Sequence, residues 1–336
     1  MKHWKTWLGF IISAGILYLV FRRIDLRLLL ENLQRADYFY LVPIVAIIFV
    51  TMALRAVRWG YLLQPIKKIK FHDLFASLLI GFMANHVLPL RMGEFVRAYI
   101  IGRSEQISTS TSFATVVVER LFDGFTVVGL LAVALAFIQL PPGNIPFKKG
   151  LLMGGYITIA ICVLALSILV ITKVRPEWFL HIISLVRPLS ATLAKSCTSG
   201  IRFFKEGLLC AESARIMIIV ILYSLLIWAI FAYSIYLIGL AFGLKLSLSA
   251  VVMVLLAVCL AVMIPSTPGY IGPYHAAVTY ALVLYNIPLE KALSLAIVFH
   301  AVNYIPITLA GFFYLGRHHL TLQKIREAGA NVAKKQ

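Results

Sequence analysis

Two groups of polar and ionisable side chains stand inside otherwise apolar stretches. Asn85, Arg91, Glu94 and Arg97 follow the run FASLLIGFMA, while Glu119, Arg120 and Asp123 interrupt VVVERLFDGF. Guanidinium groups suit phosphate because their planar fork donates two parallel N–H bonds to an oxyanion. On a helix, Glu94 and Arg97 are neighbours, Glu119 and Asp123 share a face, and Arg120 reaches Asp123. Ionisable groups within apolar segments usually face a bundle interior or a pathway. The pattern predicts Arg91 and Arg97 turned toward an anionic ligand, with Glu94, Glu119 and Asp123 holding the arginines in position. Ion pairs that merely pin helices together are the alternative. Arg55 and Arg58, in ALRAVRWGYLL, lie near the end of an apolar run. With Trp59 they are expected to snorkel as a headgroup anchor.

The first group coincides with a break. VLPLRMGEF and MIPSTPGYI both end an apolar run with Pro-x-x-x-Gly, Pro89 to Gly93 and Pro265 to Gly269, and an apolar stretch resumes after each. In lipid, such interruptions are tolerated only where the freed backbone groups are buried in protein or line a wet cavity. Two of them in corresponding places suggest an inverted repeat of re-entrant hairpins meeting around a substrate. Pairs of full-length helices joined by Pro-Gly turns at the surface remain open as the second reading.

The surrounding elements must be membrane helices. Of 336 residues, 61% are hydrophobic and 13% charged, too apolar for a soluble globule. Most apolar runs approach the ~17–25 residues that cross hydrocarbon, and their continuity excludes an alternating β-barrel. The expected fold is an all-α polytopic membrane protein, with about seven spanning helices plus two re-entrant helical hairpins arranged as an inverted repeat. Residues 1–171 form the first half with hairpin 72–101. An amphipathic cytoplasmic connector follows at 172–213, then a second half at 214–316 with hairpin 248–285, and a basic tail at 317–336. The net charge of +18 falls between apolar runs as a positive-inside bias, which places both termini in the cytoplasm and argues against nucleic-acid binding. The N-terminal MKHWKTW with its apolar run is expected to be a retained signal anchor. The four cysteines form no CxxC and the histidines lack ligand spacing, so neither a metal nor any other cofactor is expected.

Three motifs carry a resemblance: Asn85-x-x-x-Pro89-x-Arg91-x-Gly93-Glu94-x-x-Arg97, Glu119-Arg120-Leu121-x-Asp123, and Pro265-x-x-Pro268-Gly269-x-x-Gly272. Together they resemble the flippase-like membrane family that includes the transmembrane region of lysylphosphatidylglycerol synthases. The resemblance implies lipid handling at a site including Pro265, Gly269 and Gly272. Where it leads one to expect an arginine ahead of an aromatic-x-Pro stretch, this chain has His300 before NYIP. His300 is then either a titratable substitute or a packed helix residue. The chain ends shortly after its last apolar run, so synthesis of aminoacylated lipids is not expected of it.

The expected function is translocation of an anionic phospholipid or polyprenyl-linked headgroup across the cell membrane, with no catalytic residue assigned. An integral membrane enzyme acting on such lipids, with Glu94 or Asp123 as base, is the alternative. A scaffold for a lipid-modifying enzyme is a third.

Overall fold

The computed structural model describes residues 13–19, 22, 24–88, 92–137, 149–150, 153–161, 163–164, 167, 213–263 and 267–317, with backbone only at 133–137 and 263. Residues 172–212 of the expected connector and 318–336 of the tail lie outside these, as do Pro89, Arg91 and Pro265.

Among the described residues every regular element is helical. The helices are α1 (Leu26–Gln34), α2 (Leu41–Leu63), α3 (Phe71–Val87), α4 (Gly93–Ser104), α5 (Thr109–Phe137), α6 (Ala214–Ala241), α7 (Leu248–Met263), α8 (Pro273–Val283) and α9 (Leu289–Arg317). Among the described residues three stretches are long and apolar enough to cross a membrane: Tyr38–Leu63, Ala214–Ala241 and Leu289–Arg317. Their apolar residues need no stripe, because a helix surrounded by lipid and other helices buries or exposes the same side chains. Ile44, Trp59, Leu78, Ile238, Val254, Leu282 and Phe299 belong to one continuous core through α2, α3, α6, α7, α8 and α9.

Each break separates two antiparallel arms of unequal length. The first pair, α3 and α4, has 17 and 12 residues, and the second, α7 and α8, has 16 and 11. At the first break the arms approach closely. An ideal Cβ on Gly93 would lie 2.6 Å from Asn85 Oδ1, and one on Gly81 would lie 2.9 Å from the Gly93 carbonyl. Only glycine permits that spacing of backbones. At the second break Gly269 has φ 76° and Gly272 has φ 100°, values that favour glycine over residues with a Cβ. Lys67 Nζ lies 2.8 Å from Glu105 Oε2, joining the α2–α3 and α4–α5 connections. The Asp37 backbone N–H donates to the Ala241 carbonyl at 2.8 Å, joining the start of α2 to the end of α6.

A charged network behind a cavity

Helical spacing sets Glu119 and Asp123 on one face of α5, and α2 presents Arg58 to both. Arg58 is fully buried. Its Nη1 donates to Asp123 Oδ1 and to Ser224 Oγ on α6, each at 2.7 Å. Its Nη2 donates to Glu119 Oε1 at 3.0 Å and to Asp123 Oδ2 at 3.3 Å. From α4, Arg97 Nη1 donates to Glu119 Oε2 at 3.0 Å, and its guanidinium lies 5.0 Å from the Trp59 ring. Arg120 Nη2 reaches Glu119 Oε1 at 2.6 Å and Asp123 Oδ2 at 3.3 Å. Arg55 Nη1 stands 3.6 Å from Asp123 Oδ2.

Four guanidiniums thus meet two carboxylates. Attraction at low dielectric offsets the desolvation of the buried pairs only because each carboxylate oxygen is bonded. The surplus is positive, and its bearers differ in placement. Arg55 and Arg120 line a cavity of about 520 Å³, together with Asp123 and Glu94. Arg58 and Arg97 stand behind that wall. Glu94 makes no ion pair within 4.0 Å with a described residue.

The breaks and α9 also supply the lining: Asn85, His86, Tyr270, Tyr274, His300 and Tyr304 face the same cavity. Asn85 Oδ1 accepts from the Gly93 N–H at 2.7 Å, satisfying a donor at the start of α4, where a helix leaves its first N–H groups unpaired. His86 stacks on Tyr304 with centroids 4.5 Å apart, and Tyr304 Oη donates to the His86 carbonyl at 3.1 Å. His300 Nε2 lies 2.8 Å from the Gly269 carbonyl. One stretch of α9 therefore touches both breaks.

Of the residues singled out by sequence, Asn85, Glu94, Arg120, Asp123 and His300 line the cavity. Arg97 and Glu119 are buried in the adjoining network. Gly269 meets α9, while a Cβ on Gly272 would meet the backbone of Ser13. Arg91 and Pro265 lie outside the described residues. The headgroup-anchor reading of Arg58 and Trp59 is corrected: both are fully buried, and Trp59 Nε1 donates to Thr115 Oγ1 at 2.9 Å. A neighbouring helix, not the bilayer surface, receives them. Sequence reasoning also missed Ser224, His86 and Tyr304. Arginines three apart in an apolar run were a signal for Arg58, whereas a serine or tyrosine in such a run carries none.

The profile of the family described as Lysylphosphatidylglycerol synthase TM region matches residues 6–311. The chain belongs to that family. Among relatives, a UPF0104 membrane protein of Methanothermobacter thermautotrophicus is 27% identical over 254 residues, 72% of this chain and 74% of the relative. Another, of Pyrococcus horikoshii, is 23% identical over 336 residues, 94% of this chain and 98% of its own length. Glycosyltransferase AglD of Haloferax volcanii is 30% identical over 128 residues, 38% of this chain and 20% of that protein. No solved structure matches the chain. Family membership and the long apolar helices make it a multi-pass membrane protein.

Proposed function

We propose that this family member is a lipid translocase, moving an anionic headgroup across the cell membrane through the cavity between its two broken hairpins. One observation carries the reading: in a network of four guanidiniums and two carboxylates, Arg55 and Arg120 stand on the cavity wall while Arg58 and Arg97 lie behind it. Two guanidiniums with surplus charge form a receptor for a phosphate oxyanion. The acyl or prenyl chains stay in lipid.

The hairpin geometry supports re-entrance. Arms of 12 and 11 residues rise about 18 and 17 Å at ~1.5 Å per residue, well short of a hydrocarbon core of ~30 Å. Both breaks meet α9 near its middle, at His300 and Tyr304. Hairpins entering from opposite faces and ending at a shared depth are the arrangement of an inverted repeat, with both termini in the cytoplasm.

Liposomes reconstituted with wild type or Arg120→Ala, and loaded with labelled anionic phospholipids or polyprenyl phosphates, test the reading by headgroup accessibility. Transfer of one lipid class should fall roughly tenfold or more in the variant, as loss of a charge-assisted bond implies. Unchanged transfer at equal protein abundance would overturn it. Similarity to the glycosyltransferase AglD favours a second reading, an enzyme acting on a lipid-linked headgroup with Glu94 as base. Covalent product in the same liposomes would establish that reading, and redistribution without product would exclude it.

A further inference from the structure

The headgroup reading leaves open what the phosphate carries, and the α9 residues of the cavity lining bear on that. The wall arginines offer N–H donors only. Around α9, bonds already made fix which atoms remain. Thr308 Oγ1 donates its single hydrogen to the Tyr304 carbonyl at 2.7 Å. It therefore accepts from His86 Nδ1, 2.8 Å away. In that neutral ring Nε2 is left as an acceptor. His300 Nε2 donates to the Gly269 carbonyl, leaving Nδ1 as an acceptor. Asn303 Nδ2 donates one hydrogen to the Phe299 carbonyl at 2.8 Å, leaving its second hydrogen and Oδ1. All three residues line the cavity.

These acceptors sit among ring faces. Beyond the His86–Tyr304 stack, His300 lies 5.4 Å from Tyr304 and 4.8 Å from Tyr274, centroid to centroid. The carboxylates of Glu94 and Asp123 line the same cavity. A bare phosphate, with acceptors only, leaves these acceptors unused.

We propose that the ligand is a phosphate bearing an uncharged polyhydroxylated ring, a glycosyl phosphate headgroup: its O–H groups donate to His86, His300 and Asn303, and its C–H face lies against the tyrosines. The proposal rests on the anion-site reading above. A cavity of about 520 Å³ falls within the range of ~300–1,000 Å³ usual for small-molecule sites.

Equilibrium binding of glucose 1-phosphate, glycerol 3-phosphate and phosphoethanolamine to the full chain in nanodiscs tests it. Glucose 1-phosphate should bind roughly tenfold more tightly than glycerol 3-phosphate, the gain expected from added neutral hydrogen bonds. Asn303→Leu or His86→Phe, on different helices so that one folding failure does not end the test, should remove that advantage and leave glycerol 3-phosphate unaffected. Arg120→Gln should weaken both. Equal binding of the two phosphates, or preference for phosphoethanolamine, overturns the glycosyl assignment while the anion site stands. Binding of none of the three also overturns it, and together with unchanged lipid transfer in Arg120→Ala removes the translocase reading too.

Discussion

Arg58 is the side chain on which the network turns, because one guanidinium bonds Glu119, Asp123 and Ser224 from three directions. Arg58→Leu leaves carboxylates buried without their main counter-ion. The expected loss is about 3–5 kcal/mol, read as a lowered thermal unfolding midpoint in detergent. Arg58→Lys should recover only part of it, since an ammonium lacks the planar fork that spans the Asp123 oxygens. Arg103→Leu, at an exposed side chain, is the control expected to change little. The sequence made Glu119 and Asp123 visible because charge within an apolar run is conspicuous. Arg58 was misread because an arginine near a helix end, followed by tryptophan, has the same local pattern whether headgroups or another helix lie beyond it.

At the scale of elements, the first break is held by a short list of contacts. Asn85→Ala removes the bond to the Gly93 N–H and should destabilise by about 1 kcal/mol. Gly93→Ala sets a methyl against Asn85 Oδ1 and the α3 backbone; overpacking of this kind costs about 1–3 kcal/mol, and α4 should separate from α3. Hydrogen exchange at α4 amides measures both effects, and unaltered protection there in Gly93→Ala would contradict the close-approach argument. Pro-x-x-x-Gly made the position of each break legible, since both residues forbid a continuous helix. What braces the breaks was not legible. The Tyr304–His86 bond spans 218 positions, and neither residue breaks an apolar pattern strongly enough to announce a partner.

At the scale of the whole molecule, the arm lengths make a prediction about sidedness. In a chain cleared of its four cysteines, Lys67→Cys and Ser104→Cys should react with an impermeant maleimide from one side of the membrane, and Lys245→Cys and Asn286→Cys from the other. Thr267→Cys, at the second break, should resist that bulky reagent from both sides and react with a small methanethiosulfonate. Ready maleimide labelling of Thr267→Cys from the face opposite Lys245 would mean that α7 and α8 cross the membrane completely. The network also bears on biogenesis. A charged residue at the centre of an inserting helix costs about 2.5–3.5 kcal/mol, and α5 carries three within five residues. Arg55 and Arg58 on α2, and Arg97 on α4, are synthesised first, so when α5 leaves the ribosome the counter-ions of its carboxylates have already been made. Ser224 is translated last and completes a set of bonds that the order of the chain has already prepared.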